Sequence, residues 1–243
     1  MLRLIACFLY MGGYLVYTFP RLSRVKRLPD DMKSDIKRQL IHDTPKNWAK
    51  TFMALTGSQI EVEGLHHIPE GPVLFASNHE SNFDIPVLLG AIEKPFGFIS
   101  KIEVKKVPVL SSWMEAINCV FIDRKNRDKA ADSIMSGVEL LKKGNSLVIF
   151  PEGTRSKGAP VGLFKAGGFR LAKDSGVPIV PISIQGTADV FEKNGRLVKP
   201  SKIKVIVSPP VYRQHYKDKE LISLAEEIRD TILQSRKEKR IAS

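Results

Sequence analysis

The sequence predicts an α/β fold: a mostly parallel β-sheet flanked by helices, behind an N-terminal hydrophobic and amphipathic helical membrane motif. Three observations predict it. After residue 58, short apolar runs bounded by Gly, Pro or polar residues alternate with longer segments of helical period. The 243-residue chain is 43% hydrophobic, enough to bury a core. Leu4 to Phe19 holds no charged residue, and Arg21, Arg24, Lys26 and Arg27 follow directly. The expected division is residues 1–57 as the anchoring motif and residues 58–243 as one globular domain.

The apolar run from Leu4 to Phe19 makes a helix of roughly 24 Å, short of the ~30 Å hydrocarbon core. Tyr10, Tyr14 and Tyr17 suit an interface. The run ends in Thr18-Phe19-Pro20 rather than a small-x-small site, which argues against a cleaved signal. A buried core helix is the competing reading. If the run crosses a bilayer, the basic flank places the rest of the chain on the cytoplasmic side of the cell membrane. Residues 21–57 read as a charged connection punctuated by Pro29 and Pro45, with a short amphipathic helix around Ile36, Leu40 and Ile41.

Gln59 to Glu63 alternates and predicts an edge strand. Val73 to Ala76 predicts a buried strand, and Asp84 to Ile92 a helix with Pro86 in its first turn. Phe96–Ile99 reads as a strand, residues 107–117 as mostly helical, and Cys119–Ile122 as a strand. Ala130, Ile134, Val138 and Leu141 define one apolar face of a helix over 127–143, stopped by Gly144. Leu147–Phe150 is a buried strand and 164–174 a helix. Strands follow at 179–184 and 203–207, with Pro181 expected at a bulge or an edge. Leu221, Leu224, Ile228 and Ile232 mark a closing helix that runs into a basic tail.

A formal net charge of +12 implies an anionic partner. Aromatics make up only 8% and do not interleave with basic residues, and no nucleic-acid-binding signature occurs, so no nucleic-acid partner is expected. Cys7 and Cys119 form neither a disulfide framework nor a zinc spacing.

Three motifs lie just past strand ends, where open α/β sheets bind ligands. Asn78-His79-Glu80-Ser81-Asn82-Phe83-Asp84 has a His-x4-Asp spacing. His79 is suited to general base work, and Asp84 can orient its ring or simply cap the next helix. Phe150-Pro151-Glu152-Gly153-Thr154-Arg155-Ser156 combines a turn glycine, hydroxyls and a guanidinium that matches phosphate. A strand-end turn with a solvent-facing arginine is the other reading. Phe121-Ile122-Asp123-Arg124 adds a second arginine that Asp123 could position, or a surface Asp–Arg pair. Lys101, Lys105 and Lys106 supply more charge. Val177-Pro178-Ile179-Val180-Pro181 reads as core or as the wall of an apolar channel. No Gly-x-Ser-x-Gly elbow is present, and Cys119 falls in an apolar strand. A histidine without a side-chain nucleophile points to direct attack by a substrate hydroxyl. No second histidine lies at a ligand spacing, so no metal is expected.

In combination and in this order, the four motifs resemble the glycerolipid acyltransferase family, most closely its bacterial 1-acylglycerol-3-phosphate branch, over about residues 58–210. The N-terminal segment resembles the family's two-helix membrane motif in character. The resemblance implies acyl transfer from acyl-CoA or acyl-acyl carrier protein to the sn-2 hydroxyl of lysophosphatidic acid, giving phosphatidic acid at a membrane phospholipid surface, with no cofactor. It makes His79 the base and Asp84 its orienting carboxylate. Arg155, Gly153, Glu152 and Thr154, with Arg124 and Lys101, would hold the phosphate. Val177, Pro178, Ile179 and Pro181 would lie along the acyl donor or chain. After Lys101 the chain reads Ile102-Glu103-Val104, where the family continues with Glu-Leu. Backbone N–H groups at the helix start after Asn78 are the expected oxyanion donors. The alternatives are acylation of another lysophospholipid or of glycerol 3-phosphate, and a catalytically silent protein that binds anionic membranes.

Overall fold

The computed structural model describes residues 1–29, 34–195 and 197–237. Two long helices open the chain, α1 (Leu2–Val25) and α2 (Ser34–Thr56). Then follow β1 (Gln59–Glu63), β2 (Leu74–Ser77), α3 (Asp84–Ala91), β3 (Phe96–Lys101) and α4 (Leu110–Ala116). Next come β4 (Val120–Ile122), α5 (Arg127–Lys142), β5 (Ser146–Ile149), α6 (Arg170–Ser175) and β6 (Ile179–Gln185). β7 (Lys202–Val207), the short α7 (Arg213–Tyr216) and α8 (Leu221–Lys237) complete the described chain. The basic tail beyond residue 237 lies outside the described residues.

The seven strands form one sheet in the order β1-β7-β6-β2-β5-β3-β4. Every neighbouring pair is parallel except β6 with β7. The expected mostly parallel sheet is present, and Gln59–Glu63 is an edge strand. Side chains alternate across the sheet, as strand geometry requires. Val73 and Phe75 point into a core beneath α2 and α3, whereas Leu74 and Ala76 point into a core shared with α5, α6 and α8. Gly97 in β3 is a packing requirement, because a Cβ there would run into the Ile117 and Asn118 carbonyls.

Two expectations need correction. α1 runs 24 residues, straight through Pro20 and past Arg21 and Arg24. By length and composition it can cross a membrane, and only 11% of its most apolar window is buried. The connection after it is not a short surface helix but the 23-residue α2, with Pro45 inside. An internal proline costs about 3 kcal/mol. Burial offsets that cost, since Ala49 and Met53 are sealed into the core against α3. Pro181 sits inside the central strand β6 and marks a bulge, as expected: from Ile182 opposite Val207 to Ile179 opposite Val211 the partner strand carries one extra residue. Ile179 exchanges both backbone bonds with Val211, and Ser183 pairs with Ile206. The missing Pro181 N–H therefore faces the break in the ladder between Val207 and Val211. Its carbonyl still accepts the Ser208 N–H at 2.9 Å.

α1 is fastened to the rest of the molecule. The Tyr14 hydroxyl donates to the Thr44 carbonyl at 2.9 Å, and the Trp113 indole N–H donates to the Thr18 hydroxyl at 3.2 Å. Its free face presents Ile5, Phe8, Leu9 and Val16 to the outside.

Candidate active site

The parallel strands end on one rim of the sheet. His79 follows β2, Lys101 ends β3, Arg124 follows β4, and the 150–156 loop follows β5. Asn78 makes the transition at β2. Its side-chain amide donates to the Ile184 carbonyl at 2.9 Å and its side-chain oxygen accepts the Ile184 N–H at 2.8 Å. A side chain thus continues the β2–β6 ladder while the main chain turns away.

His79 Nδ1 lies 2.6 Å from Oδ2 of Asp84. Oδ2 also accepts the N–H groups of Glu80 at 2.7 Å and Ser81 at 3.0 Å, and Oδ1 accepts the Thr187 hydroxyl. Donors converge on a fully buried carboxylate, so Nδ1 carries the proton and Nε2 holds its lone pair free. Asp84 opens α3 but does not cap it; its oxygens turn back to the residues before it. The imidazole, 16% exposed, stacks on Phe150 with centroids 4.0 Å apart, and Phe150 stacks in turn on Phe98. This packing fixes the ring plane.

The 150–156 loop is tied to the same turn. Glu152 accepts the His79 N–H at 2.7 Å and the Gly162 N–H at 2.9 Å. The Ser156 and Lys157 N–H groups donate to the carbonyls of His79 and Glu80. Glu152 therefore faces inward and holds the turn. Gly153 takes a φ of +71°, a left-handed conformation that favours glycine. Its carbonyl accepts from Arg124, which joins two strand ends. Asp123 does not position that arginine; it accepts the Lys125 N–H.

A cavity of about 700 Å³ opens over His79. Lys101, Arg124, Gly153, Thr154 and Arg155 border it together with His79. Met11, Tyr14 and Leu15 of α1 and Trp48 and Phe52 of α2 form its apolar part. The sequence-derived cations and the histidine thus share one space. The Val177–Pro181 segment does not border it: Val177 and Ile179 belong to the core beside α8, and Val180 and Ile182 to the core beneath α3.

The expected oxyanion donors are already occupied. The N–H groups of His79, Glu80, Ser81 and Asn82 bond to carboxylates, and those of Phe83 and Asp84 bond to Ser81. Cys119 is buried, and that burial pushes its thiol up to about 12, which removes it as a nucleophile at neutral pH.

Sequence reasoning missed Thr187, Glu192 and Arg236. Glu192 accepts the Ser81 hydroxyl at 2.6 Å and pairs with Arg155. Arg236 of α8 bonds Glu80 at 2.8 Å from behind. Thr187 and Glu192 follow the carboxyl end of β6, so the strand-end rule could have singled them out. Arg236 carried no such signal.

Residues 59–185 match the Acyltransferase family model. The chain is 34% identical over 179 residues to a chloroplastic 1-acyl-sn-glycerol-3-phosphate acyltransferase of Arabidopsis thaliana, covering 72% of this chain and 50% of that one. It thus spans about half the length of that relative. It is 33% identical over 174 residues to the 1-acyl-sn-glycerol-3-phosphate acyltransferase of Pseudomonas aeruginosa, with 70% and 67% of the two chains covered. The solved 1-acyl-sn-glycerophosphate acyltransferase PlsC of Thermotoga maritima superposes with a TM-score of 0.84 at 26% identity, covering 98% of this chain and 94% of that one. A His–Asp pair at the rim of a mostly parallel sheet, the match over residues 59–185 and these relatives together assign the chain to the acyltransferase family.

Proposed function

We propose that this protein transfers a fatty acyl group from acyl-CoA or acyl-acyl carrier protein to the sn-2 hydroxyl of 1-acyl-sn-glycerol 3-phosphate, giving phosphatidic acid. One observation carries the reading: the open Nε2 of His79 borders the same cavity as Lys101, Arg124 and Arg155. A base and a set of cations facing one space suit an acceptor that carries both a hydroxyl and a phosphate. The names of the Arabidopsis, Pseudomonas and Thermotoga relatives support the choice of acceptor.

In the proposed step, the acceptor oxygen attacks the thioester carbonyl as its proton passes to Nε2 of His79. Asp84 steadies the imidazolium that forms. The tetrahedral intermediate collapses with cleavage of the C–S bond, and the leaving thiolate takes the proton back from Nε2. The donor is consumed as a co-substrate, and no acyl-enzyme forms. His79 as base supplies about 10²–10⁴ of the rate. Arg155, Arg124 and Lys101 hold the phosphate, and Glu152 supports the site by holding His79. The apolar half of the cavity takes an acyl chain.

We further propose that α1 places this cavity at an anionic membrane surface on the cytoplasmic side. Its exposed apolar face and the Arg21–Arg27 cluster support that placement.

The test is an assay of the full chain with both donor types against lysophosphatidate, other lysophospholipids and glycerol 3-phosphate. Turnover of lysophosphatidate, abolished by His79→Ala without loss of vesicle binding, is the expected result. Turnover of lysophosphatidylglycerol alone would overturn the acceptor assignment. Vesicle binding without any turnover would identify a silent membrane-binding protein.

A further inference from the structure

Glu192 lies in the turn after β6, with its side chain only 9% exposed. Buried carboxylates are rare unless their oxygens are satisfied. This one is satisfied from two directions. Oε2 accepts the Ser81 hydroxyl at 2.6 Å, and Oε1 accepts the Asn82 N–H at 3.3 Å and Nη1 of Arg155 at 3.4 Å. Ser81 and Asn82 belong to the turn that carries His79, whereas Arg155 belongs to the loop after β5. One side chain from a third strand end therefore joins the two.

We infer that Glu192 is a positioning residue that fixes the Arg155 guanidinium relative to His79, so that phosphate and reacting hydroxyl of one acceptor meet both groups at once. The inference rests on the proposed role of Arg155 as a phosphate anchor. Arginine has a long, flexible stem, and ordering it on binding costs conformational entropy. The ion pair with Glu192 orders it beforehand. A guanidinium carries five N–H donors, so one held by Glu192 leaves others for phosphate. At 34% exposure, the Arg155 side chain still reaches the cavity. Ser81 is fully buried and accepts the Phe83 N–H at 3.1 Å, so the other end of the link is rigid.

The test is a double-mutant cycle on the full chain, with lysophosphatidate as acceptor and whichever thioester donor supports turnover. Glu192→Gln keeps the size and one acceptor oxygen but removes the charge. It is expected to raise the acceptor KM about tenfold, the cost of ordering one long side chain. The donor KM, the thermal midpoint and, within about threefold, kcat should hold. Glu192→Asp retains the charge and should recover part of the acceptor KM. In the Arg155→Ala background, Glu192→Gln should raise the acceptor KM no further, because its effect runs through that arginine. Additive effects, or a parallel rise in both KM values with a lowered thermal midpoint, would overturn the inference and mark Glu192 as a general structural support. If Arg155→Ala alone left the acceptor KM unchanged, the phosphate-anchor role would fall, and this inference with it.

Discussion

The Thr187 hydroxyl donates to Oδ1 of Asp84, while Oδ2 of the same carboxylate holds Nδ1 of His79 at 2.6 Å. Thr187 is thus one residue removed from the proposed base. Thr187→Val keeps the shape and deletes the donor, leaving one carboxylate oxygen short of a partner. We expect kcat to fall about tenfold, the scale of one hydrogen bond to a charged group, with both KM values held. Asp84→Asn presents an amide to Nδ1 and should cost about 10³–10⁴ in kcat through the wrong tautomer. Steady-state kinetics of the two variants decide; an unchanged kcat in Asp84→Asn removes the general-base mechanism.

Arg155 and Arg124 differ in what they touch. Arg155 meets only Glu192 among the described residues, whereas Arg124 also bonds the Gly153 carbonyl. Arg155→Ala should raise the acceptor KM about 10–100-fold, as expected for losing a charge-assisted contact to phosphate. Preference for lysophosphatidate over monoacylglycerol should shrink by a similar factor. Arg124→Ala should raise KM and also lower kcat, because the loop carrying Gly153 loses its tie. A preference for the phosphorylated acceptor that survived both changes would place the phosphate elsewhere.

The outer face of α1 makes the membrane placement measurable. Phe8 and Leu9 are exposed. Replacing both with Ser should weaken partitioning onto anionic vesicles about 10²–10⁴-fold, since each buried side chain contributes about 1.5–3 kcal/mol. Binding should also weaken with added salt, because Arg21, Arg24, Lys26 and Arg27 contribute about 1 kcal/mol each near an anionic surface. Vesicle co-sedimentation across a salt series reads both effects. Indifference to the two serines would remove α1 as the anchoring surface.

His42 on α2 makes stability depend on pH. The ring is buried, lies edge-on to Phe96 at 5.0 Å, and has no hydrogen-bond partner on either nitrogen. Burial, and then the Lys46 charge, push it down from 6.5 to about 4, against a weaker upward pull from Asp43 and Glu93. The folded state therefore excludes a proton that the unfolded chain accepts. The stabilisation is complete above pH 6.5 and is lost as pH falls toward 4, about 3 kcal/mol in all. Urea unfolding at about pH 7.5 and about pH 4.5 should show a smaller loss for His42→Leu than for the parent. Equal losses would show that His42 is protonated without cost.

Much of this architecture was legible because its signals are local. Apolar runs such as Leu147–Ile149 named their strands, and His79, Asp84, Arg124 and Arg155 were visible at strand ends. What was not legible depends on distant packing. Pro45 reads as a helix breaker until α3 is there to bury Ala49 and Met53. The N–H groups after Asn78 read as free donors, because nothing local shows that Glu152, Asp84 and Glu192 occupy them. Val177–Pro181 reads equally as core or channel wall, and only the sheet order places it among core residues.

Asn78 binds Ile184 across 106 residues of sequence, Thr187 reaches Asp84 across 103, and Arg236 reaches Glu80 across 156. Such contacts close late, after the chain-entropy cost of long loops has been met. The turn that carries His79 is encoded early but held by late-made parts. A ribosome-bound chain ending before β6 holds every residue proposed for the chemistry, yet nothing to set them. We expect it to be inert, and competence to appear only once the last helix has docked. The enzyme is in effect its own completion check.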